Sequence, residues 1–272
     1  MLDCKSVNPE ILKYQIGTID THLHTRHSCD SKMEPAAACR RAMELGLKAL
    51  VFTEHVDFDP TDQGYGAYDD RAIESSLADC RVMAGKHLRL YKGVEITYQP
   101  QYRDQIEKFI NSYKFDYVMG SVHMVGLDDV SWPELAKKFY DRMEEEPAYT
   151  SYFQEVLKLV DSRLFDCLGH LDLCKKYGFK HYGAMSWQKF QKPIKKILKR
   201  AVQRNLMVEI NTSGLRHDPQ ETYPGLPAVM EYLKMGGTKL ILGSDSHQVE
   251  HIAHGFKDIL IQLPELKGLN KK

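Results

Sequence analysis

Two short stretches near opposite ends of the chain, His22-Leu23-His24 and Asp245-Ser246-His247, each set two side chains of metal-binding type two residues apart. Alternate residues of an extended segment face the same way, so each pair can address one point in space. Four further positions of the same chemistry, His55, Glu95, His123 and His170, stand between them, each at the end of a short apolar run. Imidazole nitrogens and carboxylate oxygens are ligands for zinc, iron and manganese. Six histidines and two acids exceed the coordination of one ion, about four for zinc and about six for related metals. More than one ion is therefore expected.

Ligands that recur where strands stop must be gathered by the fold. Seven apolar, β-branched or aromatic runs, at residues 18–21, 49–53, 88–95, 117–121, 167–169, 207–211 and 239–242, alternate with stretches that carry apolar residues at helical spacing. The helical stretches are residues 34–45, 73–86, 102–113, 134–143, 149–161, 187–205 and 227–235. Strand–helix repetition predicts a parallel sheet, and seven units suit an α/β barrel that is closed or nearly so. The 272 residues are an ordinary length for one such barrel, so a single domain over residues 1–272 is expected. Barrel active sites lie at the carboxyl ends of the strands, where all eight candidate ligands fall. Residues 57–70, 126–131 and 215–223 read as loops over the site, and Ser186 as the cap that starts a helix at Trp187.

Bulk properties remove several classes of function. Lysine plus arginine and aspartate plus glutamate both count 37, so no overall field concentrates a polyanion, and no nucleic-acid partner is expected. The basic run from Lys189 to Arg200 carries Phe190, Ile194, Ile197 and Leu198 at helical intervals and reads as a solvated barrel helix. No apolar run reaches the length of a membrane span, and residues 1–17 lack the pattern of a secretory signal. Six cysteines, Cys4, Cys29, Cys39, Cys80, Cys167 and Cys174, are scattered without a Cys-x-x-Cys pair, which points to a reducing, cytoplasmic setting. Lys271-Lys272 reads as a frayed tail.

The motifs Asp20-Thr21-His22-Leu23-His24-Thr25, Thr53-Glu54-His55, Glu95, Ser121-Val122-His123, Gly169-His170-Leu171-Asp172 and Gly243-Ser244-Asp245-Ser246-His247 together resemble the polymerase and histidinol phosphatase (PHP) domains. The resemblance implies a distorted TIM-like (β/α)7 barrel with a trinuclear metal centre. It also implies a ninth ligand, Asp30. One ion would be held by His22, His24, Glu95 and Asp245, a second by Asp30, His55 and His247, and a third by Glu95, His123 and His170, with Glu95 bridging through its two oxygens. Three dications leave a positive pocket suited to a phosphate dianion, and a hydroxide bridging metals would be the nucleophile.

Within that family, Asn211-Thr212-Ser213-Gly214-Leu215-Arg216 and the segment running from His170 through Lys175-Lys176-Tyr177-Gly178 are similar to the single-domain histidinol phosphatases. The resemblance implies hydrolysis of L-histidinol phosphate, a step of histidine biosynthesis. Arg216, with its forked donors, and Lys175 or Lys176 are candidate phosphate contacts. His27 is a candidate substrate contact, and the general acid is left unassigned. Other phosphoesterase chemistries on the same scaffold, a nucleotidase or an exonuclease, and a non-catalytic metal-binding protein are the alternatives. Asp20 has the parity to support a ligand from behind, whereas Glu54 and Asp172 receive no task.

Overall fold

The computed structural model describes residues 7–269; Cys4 and the Lys271-Lys272 tail lie outside them. Seven strands form one parallel sheet in the order β1 (Ile19–Asp20), β2 (Ala49–Val56), β3 (Arg89–Thr97), β4 (Tyr117–Ser121), β7 (Cys167–Leu168), β8 (Met207–Asn211) and β9 (Leu240–Gly243). A small antiparallel pair, β5 (Met124–Val125) and β6 (Asp128–Asp129), stands apart. All seven predicted runs are found as strands. Helices cover the outside of the sheet, so the strands are buried on both faces and read as continuous apolar runs rather than alternating ones.

The sheet curls back on itself. Beyond the ends of β1 and β9, Asp245 N donates to His22 O at 2.7 Å and His24 N to Ser246 O at 2.8 Å. Leu23 and Ser246 form an isolated parallel bridge. The first and last strands are thus joined through the ligand motifs themselves, which closes the barrel at its mouth and distorts it.

Ile19 shares the barrel floor with Ala49, Val51, Tyr117, Met119, Cys167, Met207 and Ile241. Strict alternation would send Leu23 to the same side as Ile19, yet Leu23 packs with Ala38, Ala42 and Ile73 on the helical side. The chain therefore reverses its facing just after the two-residue strand β1, and this turns His22 and His24 inward above the floor.

Helices α1 (Pro35–Glu44), α2 (Asp70–Ala84), α3 (Arg103–Ser112), α4 (Pro133–Asp141), α5 (Glu145–Ser162), α7 (Trp187–Gln203) and α8 (Leu226–Lys234) occupy the predicted stretches. Ser186 caps α7 by accepting from Lys189 N. The apolar stripe Phe190, Ile194, Ile197 and Leu198 is buried. On its outer face Lys189 pairs with Glu145, Lys195 with Glu231 and Arg200 with Asp161.

Two helices go beyond the expected pattern, α6 (Lys175–Tyr182) and α9 (Phe256–Gln262). The expected loop at residues 126–131 is in part the β5–β6 hairpin, turned by Gly126 at φ +63°. No described helix is long and apolar enough to cross a membrane.

Candidate metal centre

Register places the candidate ligands. The eight-residue β2–β3 ladder sets His55 opposite Glu95, and β4 pairs on the far side of β3 with Met119 opposite Glu95 and Ser121 opposite Thr97. His123 and His170 each follow a strand end by two residues. Buried Glu95 lies at the centre with its two oxygens divided. Oε2 is 3.2 Å from His22 Nε2, 3.3 Å from His24 Nε2 and 3.1 Å from His55 Nδ1. Oε1 is 2.8 Å from His170 Nε2 and 3.6 Å from His123 Nε2, and accepts from Ser121 Oγ at 2.5 Å.

Asp245 Oδ1 lies 3.7 Å from His22 Nε2, 3.5 Å from His24 Nε2 and 3.6 Å from His247 Nδ1. Asp30 Oδ2 is 2.9 Å from His247 Nε2 and 3.5 Å from His55 Nε2. All nine side chains meet in one cage.

The hydrogen bonds behind the rings fix which nitrogen faces inward. His22 Nδ1 lies 2.7 Å from Glu209 Oε1, and a carboxylate only accepts, so Nδ1 carries the proton. Ser28 Oγ donates to Glu54 Oε2 at 2.7 Å; its proton thus engaged, it accepts from His24 Nδ1 at 3.2 Å. His247 Nδ1 donates to the Asp245 carbonyl at 3.2 Å. Thr97, whose hydroxyl serves Asp57, receives His123 Nδ1 at 2.7 Å. The Nε2 lone pairs of these four rings therefore point into the cage.

The inward nitrogens of His22 and His24 are 3.0 Å apart, and those of His123 and His170 3.3 Å. Imidazole nitrogens and carboxylate oxygens converge here within a few ångströms of one another, and such a donor set fits several metal ions. Four overlapping triads have ligand atoms within 4.8 Å of one another: His24, His55 and His247; His22, His170 and Asp245; His22, His24 and Glu95; Glu95, His123 and His170.

Charge tells the same story. Burial would raise Glu95 and Asp245, but the surrounding histidines hold both well below the usual carboxylate range. Burial would lower His55, yet Asp30 and Glu95 lift it to about 10. His24 and His123, dominated by burial, fall to about 3. The carboxylates create a demand for positive charge that the ligand rings meet only in part.

The model of the PHP domain family matches residues 20–213. The chain belongs to the PHP domain family. A protein of Clostridium acetobutylicum named as a probable histidinol-phosphatase is 31% identical over 244 residues, covering 89% of this chain and 91% of the relative. The histidinol-phosphatase of Lactococcus lactis is 26% identical over 236 residues, 84% of each chain. Among solved structures, the histidinol phosphate phosphatase of Lactococcus lactis, crystallised with zinc, L-histidinol and phosphate, superposes with a TM-score of 0.83. That match has 23% identity and covers 91% of this chain and 93% of that one. At this identity the likeness speaks for the fold, a distorted barrel of seven parallel strands.

The cleft above the cage of this PHP domain is lined by candidate ligands together with Asp57, Asp62, Asp129, Trp132 and Lys176. Lys175 corrects an expectation. It is buried, its ammonium 3.0 Å from Asp172 Oδ2 and 3.3 Å from Glu221 Oε2, and it lies over the Tyr223 ring. The adjacent position on α6, Lys176, faces the cleft instead.

His27 is also displaced from its expected place: its Nε2 is 2.9 Å from Ser76 Oγ on α2, away from the cleft lining. Arg216 stands behind the last motif, with Nη2 donating to Ser244 O at 2.9 Å and Asp245 O at 3.2 Å. Asp20 accepts from Ser244 N and Ala253 N, so it braces the Ser244-Asp245 turn rather than a ring. Sequence reasoning missed Glu209 and Ser28 and gave Glu54 no task. A charged residue inside the apolar run at 207–211 was the available signal for Glu209.

Proposed function

We propose that this PHP domain hydrolyses L-histidinol phosphate to L-histidinol and phosphate. In this reading three divalent ions are held, one by His22, His24, Glu95 and Asp245, one by Asp30, His55 and His247, and one by Glu95, His123 and His170. The observation that carries it is the division of Glu95, one oxygen toward His22, His24 and His55 and the other toward His123 and His170. When bound, such ions supply Lewis acidity toward phosphoryl oxygens and a nucleophile at neutral pH. Zinc, iron and manganese all suit the donor set.

The chain's own residues support the substrate. Lys176 lines the cleft and is lowered from the usual lysine value by burial; a phosphate dianion beside it would favour its charged form. Asp57, Asp62 and Asp129 line the same cleft. A molecule with a phosphate at one end and an ammonium at the other matches a cleft whose lining joins the proposed metal cage to Lys176 and to further carboxylates. Arg216 holds the carbonyls around Asp245 and so orients a ligand. Names of relatives agree with this substrate. The five described cysteines are all free thiols, which supports a reducing, cytoplasmic setting.

The test is phosphate release by purified, zinc-loaded protein from L-histidinol phosphate, an aryl phosphate and single-stranded DNA. Histidinol phosphate should be preferred, and chelation should abolish turnover until zinc is restored. Protein that turns over the aryl phosphate and leaves histidinol phosphate untouched refutes the substrate. Release of nucleoside monophosphates from DNA as the faster reaction refutes it in favour of an exonuclease.

A further inference from the structure

We infer that Glu209, outside the nine ligands, is a positioning residue that makes two ends of the metal cage act as one. The inference rests on the ligand assignment proposed above. Glu209 lies on β8 and is completely buried. One oxygen faces His22 Nδ1 at 2.7 Å. The other accepts from the backbone N–H of His170 at 2.7 Å and from Asn211 Nδ2 at 3.2 Å. A single carboxylate thus ties the ring of a ligand on the first strand to the main chain of a ligand after the fifth barrel strand.

The surroundings are shaped for it. A Cβ at Gly243 would lie 2.0 Å from Glu209 Oε1 and 2.6 Å from His22 Cβ, so a residue without a side chain lets the carboxylate reach the ring. No amide can replace it. All three neighbours of the two oxygens are donors, so a glutamine must turn its NH2 toward a donor in either orientation. With the NH2 toward His22, the ring has to accept at Nδ1 and carry its proton on Nε2, the atom that faces Glu95 and Asp245. With the NH2 toward His170, a buried backbone N–H loses its partner. A carboxylate behind a ligating imidazole fixes its tautomer and raises its basicity, and removing such a partner weakens metal binding by about 10–100-fold.

The experiment compares wild type with Glu209→Gln. Zinc content and zinc affinity are measured by chelator competition, and denaturation is followed on the metal-free proteins. Nitrogen NMR of histidine-labelled protein reads the tautomer of His22. The expected result is zinc affinity lower by about 10–100-fold in Glu209→Gln, in a variant that still folds without metal, with His22 protonated on Nδ1 in wild type. Wild-type zinc affinity in Glu209→Gln overturns the inference. So does lowered metal-free stability with unchanged affinity per folded molecule, which is the mark of a merely structural role. If Glu209→Gln does not fold, the wild-type spectrum decides, because a His22 proton on Nε2 overturns the claim. Wild-type protein that takes up no zinc refutes the proposed metal centre and this inference with it, an outcome distinct from zinc bound with unchanged affinity in Glu209→Gln.

Discussion

Ser28→Ala removes one oxygen atom from a point where three buried groups converge. Ser28 is 4% exposed. Its hydroxyl donates to Glu54 Oε2 and accepts from His24 Nδ1 at 3.2 Å and from the His55 backbone N–H at 3.0 Å. Glu54 survives the loss, because its oxygens also accept from Thr25 N at 3.0 Å and Thr25 Oγ1 at 2.6 Å. The His24 ring N–H and the His55 N–H do not. An unsatisfied buried donor costs about 1–3 kcal/mol, so the two together should cost about 2–6 kcal/mol. Freed to rotate or change tautomer, His24 should also bind metal about 10–100-fold more weakly. Urea denaturation of metal-free protein reads the first effect and chelator competition for zinc the second. A stability loss under about 0.5 kcal/mol, the scale of an ordinary surface substitution, with unchanged zinc affinity would refute the reasoning that Ser28 sets the orientation of His24.

Burial pushes Asp166 up to about 7 although Val7 N and Val118 N donate to its oxygens. Its folded pKa therefore exceeds its unfolded value of about 3.9, so the stability it contributes is complete below about pH 4 and is lost as pH rises through about 7. Metal-free Asp166→Asn should accordingly show a flatter fall in stability between pH 5 and pH 8 than wild type, and parallel curves would contradict this. Gly120→Ala would set a Cβ within 2.5 Å of the Phe165 ring. Overpacking should cost about 1–3 kcal/mol, seen as a thermal midpoint several degrees lower, and an unchanged midpoint would show that Phe165 yields freely.

Much of this was legible because barrel physics repeats. Strands buried on both faces announce themselves as apolar runs, and some candidate ligands stand out as the first polar residues after a run, as His123 does after β4 and His170 after β7. What escaped has physical causes. α6 carries Gly178 in its middle, a poor helix former, kept where a Cβ would lie 2.4 Å from the Tyr149 hydroxyl; packing overrides propensity there. Lys175 and Lys176 are adjacent and chemically equivalent in one dimension. Only the helix phase decides that one meets Asp172 and the other the cleft. Ser28 is likewise invisible, since nothing local distinguishes a serine with three buried partners from one in a turn.

The junction between the two ends of the barrel has a consequence for assembly. Ser244 and Asp20, which share a hydrogen bond, are 224 positions apart, and that seam holds ligands on both lips. Before the seam is zipped, β1 and β9 present raw margins of the kind that recruit neighbouring chains, while half the cage has no partner for its cations. Ions held as proposed would clamp that seam from both lips and add to the hydrogen bonds that already hide the edges along which unfinished copies would stick together.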